Sequence, residues 1–411
     1  MAVAASPLTR PRQPRPLPAT AETFRLAAPP AELTVHSAFP GLRAAISALV
    51  HPLFEVGGVV NPSAPRLTVT AAPGNPALPG PRDLDAAPQL IVHRDGPRFV
   101  VLERSAERTV LLRDGEADSA SLVITATPGT GEATAGVTGE PTAEVTAETP
   151  DTGPASVRAV VRFLGTLLGA QLTGRGTVFL HGSAVAVNGS SVLMLGPKHR
   201  GKSSLAFLAV TLCGADFVSD DTLVAWAPGT GSPPVLRGWP KRVGIATALL
   251  AGHPAREDFE RASLRRHGSG TPRVPADAAW STTPEARKRL FADLDEFTAL
   301  TGAAVATDTR PAGIVLPRAE RDRRGWDIEP VTDRAAVLDG SLLAGPDLRH
   351  FTDYLGLLPR PRPEPAVRSD VLAALGALPC VSVSYGPDVN AGFPGFWDEV
   401  TAALALPARA G

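Results

Sequence analysis

The sequence predicts an α/β protein in two parts, a smaller N-terminal α+β domain and a larger domain in which strands and helices alternate around one glycine loop. Three observations lead there. A chain of 411 residues is too long for one ordinary core. A stretch almost without core-forming side chains, residues 127–154, divides it. From Val157 onward, hydrophobic periods of three to four residues and of two residues take turns along the chain.

Residues 1–23, rich in Pro, Arg and Ala without a hydrophobic period, are expected to be a disordered tail. Over 24–126 the pattern becomes globular, and it predicts a helix over 42–53 and strands at 88–93, 98–104 and 109–113. No catalytic cluster stands out there. Residues 127–154 consist almost wholly of Thr, Gly, Ala, Glu, Pro and scattered Val, too little apolar area to offset their ordering entropy, and are expected to be a flexible linker.

The domain 155–411 opens on a helix, because Val157, Val160, Val161, Leu164, Leu167, Leu168 and Leu172 form one apolar stripe. Short strands follow at 177–180 and 183–187, then the hairpin signal Asn188-Gly189 and an apolar strand at 191–195. Further on, the patterns predict helices at 203–212, 284–300, 333–343 and 368–378, with strands at 216–219, 222–226, 312–316 and 380–385. Asp293, Asp295 and Glu296 are expected on the surface of the helix 284–300, whose Leu290, Leu294 and Phe297 point inward.

Composition excludes several functions. A formal net charge of -1 leaves no basic excess for a nucleic-acid partner. Two cysteines, Cys213 and Cys380, neither staple a chain of this size nor build a closed zinc site, which fits a reducing cytoplasm. No run approaches the roughly 18 apolar residues of a membrane span, and the N-terminus lacks an apolar signal core. A cytoplasmic protein with no membrane partner is expected, and the sequence is compatible with an oligomer. His253, His267 and His350 have no metal-ligand spacing and stay unassigned.

Between the strand 191–195 and the helix 203–212 the chain reads Gly196-Pro197-Lys198-His199-Arg200-Gly201-Lys202-Ser203, which fits G-x-x-x-x-G-K-[ST] in the strand-to-helix context that the motif requires. There, loop amides and the positive helix end cradle the α- and β-phosphates of a nucleoside triphosphate, Lys202 reaches the β/γ oxygens, and Ser203 ligates Mg²⁺. Gly196, Lys198, His199, Arg200, Gly201, Lys202, Ser203 and Ser204 are therefore the candidate nucleotide contacts. Small residues are common in kinase loops where this chain has Lys198, His199 and Arg200. These cations either add phosphate contacts or mark a loop that no longer turns over. A glycine turn that merely joins strand to helix is the bland alternative.

The strand 216–219 ends in Asp220-Asp221. Phosphoryl transfer needs a group to hold or orient Mg²⁺ and another to accept the nucleophile's proton, and adjacent carboxylates can divide those tasks. Neighbouring strand residues point to opposite faces, so identical roles are not expected. A solvated Asx turn is the alternative. Taken alone, His181 reads as a buried strand-end histidine more often than a functional one.

In their order, His181-Gly182, Asn188-Gly189, the loop and Val218-Ser219-Asp220-Asp221 resemble the C-terminal domain of HPr kinase/phosphorylase. They equally resemble the HPr-kinase-like proteins of peptide-modification systems, including lasso-peptide kinases, which share a fold with ATP-dependent phosphoenolpyruvate carboxykinase. The resemblance covers residues 178–226 well and the remainder weakly. It implies a P-loop domain with a mixed sheet, ATP and Mg²⁺ as cofactors, and Lys202 and Ser203 as the ATP- and magnesium-binding pair. It also implies base and metal contacts from Asp220 and Asp221, with Asp220 on the metal, and His181 near the transferred phosphate. Lys241 and Arg242 fall in a stretch resembling the family's proline-basic segment, as substrate or phosphate contacts or as an exposed basic turn. Three departures weigh against HPr as substrate: there is no counterpart of the family's Gly-rich recognition loop, Ser204 stands in place of a glutamate, and the N-terminal region is not recognisably theirs. Phosphoenolpyruvate chemistry would need a His and Lys set that the sequence does not show.

The expected function is an ATP-dependent kinase that moves the γ-phosphate to a hydroxyl of Ser or Thr in a peptide or protein, or of a small-molecule alcohol. The alternative is an inactive ATP-binding module with a regulatory or scaffolding role.

Overall fold

The computed structural model describes residues 21–61, 64, 66–71, 90–95, 98–104, 108–112, 122–127, 144–149, 154–229, 231–250, 256–267, 289–343 and 365–406. These belong to two compact units that divide between Leu172 and Thr173, and the architecture is mixed α/β. Among the described residues, no helix is long and apolar enough to cross a membrane, and Cys213 and Cys380 are buried free thiols.

In the first unit β1 (Glu22–Ala28) and β2 (Ala31–Ser37) form an antiparallel pair, followed by α1 (Leu42–Val50) and β3 (Glu55–Val56). The helix buries Leu42, Ile46 and Val50, four residues apart as an amphipathic stripe requires. Then come β4 (Arg66–Ala71), β5 (Leu90–Asp95), β6 (Arg98–Arg104), β7 (Arg108–Leu112), β8 (Leu122–Thr127) and β9 (Glu144–Thr149). Together the strands make a nine-stranded sheet in the order β3-β1-β2-β4-β9-β8-β7-β6-β5. The helix α2 (Pro154–Gly174) buries the predicted stripe at Val157, Val160, Leu164, Leu167, Leu168 and Leu172. Its Gln171 amide donates to Glu32 O at 3.0 Å and accepts from Glu32 N–H at 3.3 Å.

Three expectations change here. The helix expected to open the domain 155–411 belongs, as far as Leu172, to the first unit. Glu22 and Thr23, placed in the tail, begin β1 opposite Ser37 and His36. The strand β9 lies inside 127–154, running parallel to β4 and antiparallel to β8. A ladder on both sides satisfies backbone N–H and C=O groups whatever the side chains, and composition does not register partners supplied from elsewhere in the chain. Residues 1–20, 128–143 and 150–153 lie outside the described residues.

The second unit begins with β10 (Val178–His181), β11 (Ser183–Val187), β12 (Ser190–Met194), α3 (Lys202–Cys213), β13 (Asp216–Ser219), β14 (Thr222–Trp226), β15 (Val235–Gly238) and β16 (Val243–Ala246). It continues with α4 (Arg256–His267), β17 (Arg289–Ala292), α5 (Leu294–Thr301), β18 (Arg310–Ala319), β19 (Trp326–Pro330), α6 (Arg334–Asp339), α7 (Pro365–Gly376), β20 (Cys380–Tyr385) and α8 (Phe393–Ala403). Asn188 and Gly189 both take left-handed φ, 51° and 75°, as the two-residue turn between β11 and β12 demands. The main sheet runs β13-β11-β12-β18-β20-β19, beside a three-stranded sheet β10-β14-β15 and the pair β16-β17. One apolar cluster joins the first two sheets and two helices, with Leu180, Leu223, Ala184, Leu193, Leu338 and Leu375 among its members.

Strand direction places the site. Because β11 is antiparallel to both β12 and β13, while β18 is parallel to β12 and β20, the strands β12, β13, β18 and β20 all run the same way. Their carboxyl ends meet at one edge, where open α/β sheets place their crevices.

Residues 284–288 of the predicted helix 284–300 lie outside the described residues, and the rest of it is instead β17 followed by α5. Leu290 and Ala292 are buried while Phe291 between them is exposed, a period of two that pairs with β16. Asp293, expected on the surface, is only 7% exposed at the N-cap of α5, whereas Asp295 is exposed and Glu296 half-buried. The predicted helix 333–343 stops at Asp339, and residues after Gly340 turn to pair with β10. His253 and His350 lie outside the described residues, and His267 ends α4.

Candidate functional site

The loop 196–201 leaves the end of β12 and returns at the first residue of α3. Gly196 and Gly201 take φ of 115° and 101°, a region open to glycine, and His199 enters the left-handed region at 64°. Two neighbouring strand ends hold the loop. The Ala319 N–H, ending β18, donates to Arg200 O at 3.2 Å, and the Tyr385 hydroxyl, ending β20, donates to Gly201 O at 3.4 Å. Burial pushes the Tyr385 hydroxyl well above its ordinary range, so it stays a neutral donor. Gly201 is also there for space, since a Cβ at that position would lie 2.0 Å from the Tyr385 oxygen.

Lys202 is the first residue of α3 and only 6% exposed. Its ammonium donates to the carbonyls of Gly196 at 2.7 Å and Pro197 at 2.8 Å, so the buried charge is met by the loop's own oxygens. Lys198, His199 and Arg200 are exposed, and Ser203 and Ser204 half-buried. Gly201 at the N-cap brings no side chain to the first N–H groups of the helix.

The two aspartates part company at the end of β13. Asp220 turns inward at 6% exposure, where Oδ1 accepts from the Ser183 hydroxyl at 2.9 Å and Oδ2 from the Gly244 N–H at 3.0 Å. Asp221 takes φ of 79° and turns outward, half-exposed. Its Oδ2 accepts from Lys241 Nζ at 2.6 Å and from the Thr222 hydroxyl at 3.4 Å, and its Oδ1 lies 3.3 Å from His181 Nδ1. Burial raises the Asp221 pKa, but the His181 hydrogen bond and the Lys241 ammonium outweigh it and hold the carboxyl well below the usual carboxylate range. His181 Nδ1 also stands 3.2 Å from Asp221 O, and the Gly182 N–H donates to that carbonyl at 3.2 Å.

Loop and acidic pair are joined through β11 and through Ser341. Ser183, which holds Asp220, lies opposite Met194 at the end of β12, two residues before Gly196. Ser341, 1% exposed, accepts the Gly196 N–H on Oγ at 3.3 Å and the His181 N–H on its carbonyl at 2.7 Å. The structure thus brings together the loop, His181, Asp220, Asp221 and Lys241. Arg242 sets its guanidinium 5.1 Å from the Phe291 ring centroid. Sequence reasoning missed Ser183, Gly244, Ser341 and Tyr385, which carry no local motif and gain their place only through strand pairing. Among the described residues, no group of three or more His, Cys, Asp or Glu side chains could hold a metal ion by itself.

No protein-family model matches the chain, and no curated protein matches it.

Proposed function

We propose that the chain is an ATP-dependent kinase with a P-loop domain resembling that of HPr kinase/phosphorylase, moving the γ-phosphate to a hydroxyl of a peptide, protein or small alcohol. The observation that carries this reading is one sheet edge bearing both the loop with its buried Lys202 and the pair Asp220-Asp221, fastened together by Ser183 and Ser341.

The side chains suit the reaction. Lys202 can exchange loop carbonyls for phosphate oxygens, and the exposed Lys198 and Arg200 add positive charge at the rim. The residues also fit Mg²⁺. The Ser203 hydroxyl and an aspartate are hard oxygen donors, each Asp220 oxygen accepts one hydrogen bond and keeps a lone pair, and nucleotide phosphates and water commonly fill the other positions. Bound there, Mg²⁺ would neutralise charge developing on the transferred group. His181 and Lys241 orient Asp221 and hold it ionised but weakly basic, so on this reading it accepts a proton once Lys241 is drawn away to phosphate.

A second reading, a binding module without turnover, is favoured by His199, a side chain held at φ 64° between two bulky cations. Calorimetry and transfer of labelled γ-phosphate separate the two. Lys202→Ala should abolish MgATP binding, whereas Asp220→Asn and Asp221→Asn should keep affinity within about tenfold while transfer falls by about a hundredfold or more. Unchanged affinity in Lys202→Ala removes the site altogether. A wild-type chain that binds ATP but passes phosphate neither to an acceptor nor to water removes the kinase and leaves the binding module.

A further inference from the structure

We infer that Ser341 is a positioning residue of the nucleotide site, fixing the first amide of the phosphate loop relative to the His181–Asp221 pair. The inference rests on the nucleotide reading above and adds a residue that lies far along the chain from every motif.

The local structure explains why a serine can act there. Asp333 caps α6 by accepting from Ala336 N–H at 3.1 Å, and the helix closes at Gly340. The chain then straightens: Ser341 O accepts from His181 N–H at 2.7 Å, Leu343 N–H donates to Phe179 O at 2.9 Å, and Leu342 bridges Leu180. Ser341 is thereby pinned to β10 through its backbone, and its own N–H is used by Leu338 O at 2.9 Å. The side chain, almost wholly buried, is left to serve the loop.

What it serves there is Gly196. Gly196 has no side chain and φ of 115°, so little in the residue itself fixes the direction of its peptide units. That direction matters because the carbonyls of Gly196 and Pro197 hold the Lys202 ammonium. The Ser341 hydroxyl, accepting the Gly196 N–H at 3.3 Å, fixes the peptide unit by which the chain enters the loop, the one just before the unit whose carbonyl meets Lys202. One residue therefore links two series of contacts. Its hydroxyl leads through Gly196 to Lys202, and its carbonyl leads through His181 to Asp221. An alanine would cut the first link and leave the second intact.

The test uses the full chain with Ser341→Ala and Ser341→Cys, the latter keeping nearly the same volume with a weak acceptor. MgATP affinity is measured by calorimetry well below the melting temperature, and exchange of the Gly196 amide hydrogen is followed in the nucleotide-free protein. Ser341→Ala should raise the Kd about fivefold to tenfold, the ratio that corresponds to one hydrogen bond. The Gly196 amide should exchange faster, Ser341→Cys should fall between wild type and Ser341→Ala in both measurements, and the acidic variants' transfer defect should be unaffected by the alanine. A merely structural serine would lower the melting temperature and speed Gly196 exchange while leaving Kd unchanged, which would overturn the inference. If wild type binds no MgATP, the nucleotide reading fails and takes this inference with it. If wild type binds and Ser341→Ala binds equally well, only the role of Ser341 fails.

Discussion

Gly201→Ala isolates the contact that holds the loop against the sheet. The added Cβ would lie 2.0 Å from the Tyr385 oxygen and 3.2 Å from its ring Cζ, at a position where φ is 101°. Left-handed backbone costs an L residue about 1–2 kcal/mol, and forcing an atom into a packed region costs a further ~1–3 kcal/mol. Tyr385 cannot easily move aside, being fully buried with its ring centroid 5.9 Å from that of Phe396. The single substitution should therefore destabilise the second unit by roughly 2–5 kcal/mol. Tyr385→Phe alone removes one long hydrogen bond and should cost only about 0.5–1 kcal/mol.

The combination decides the matter. In the Tyr385→Phe background the nearest remaining ring atom stands at 3.2 Å, tight but no longer overlapping, so the steric part of the Gly201→Ala penalty should largely vanish. The expected coupling energy is about 1–3 kcal/mol in the sense of mutual rescue. Urea unfolding followed by tryptophan fluorescence suits the measurement, because the four tryptophans among the described residues, Trp226, Trp239, Trp326 and Trp397, fall in the second unit. Additive effects, within ~0.5 kcal/mol, would refute the contact and with it the account of how β20 supports the loop.

Two further outcomes are expected. Asp221 has a folded-state pKa below its unfolded value near ~4, so its contribution to stability is present above about pH 4 and is lost as pH falls through the folded value. Stability measured between pH 6 and 2 should thus fall less steeply in Asp221→Asn than in wild type, by at most ~1 kcal/mol for so exposed an ion pair, and equal slopes would discount the pair. Deleting residues 144–149 should lower the melting of the strand signal in circular dichroism by more than about 10 °C, since β9 stands between β4 and β8. An unchanged melting curve would show that the sheet closes without it.

What the sequence revealed and what it hid divides along contact range. The loop, Asn188-Gly189 and the strands 216–219 and 222–226 were legible because each is specified by neighbours within a few residues, and their observed limits differ little from those expected. The strand β9 was not, because Val145 and Ala147 alternating with Glu144, Thr146 and Glu148 make a weak apolar face, and its partners at Leu67 and Ala126 are set by the fold. Residues 289–292 were mistaken for helix because Leu290, Leu294 and Phe297 satisfy a helical spacing, and only pairing with Ile245 and Val243 shows the period of two. In the site, Asp220 was legible as a carboxylate beside the loop. That Ser183 and Gly244 would occupy its two oxygens was not, since neither belongs to the acidic motif.

The energetic contrast between the two aspartates assigns them unequal mobility on the proposed reading. The Asp221–Lys241 pair has side chains 46% and 40% exposed, and ion pairs of that exposure are worth about 0–1 kcal/mol. Opening it is therefore affordable to any ligand that offers Lys241 an anion, or Asp221 a cation or a hydroxyl proton. Asp220 is different in kind. It is 6% exposed and accepts from two donors that are themselves buried, so displacing it would strand the Ser183 hydroxyl and the Gly244 N–H, at about 1–3 kcal/mol for each unsatisfied group. A nucleotide arriving at the loop would accordingly meet one carboxylate whose place is set beforehand and another that can change partners. Fixed oxygen suits holding a metal ion, and a carboxylate released from a lysine suits accepting a proton.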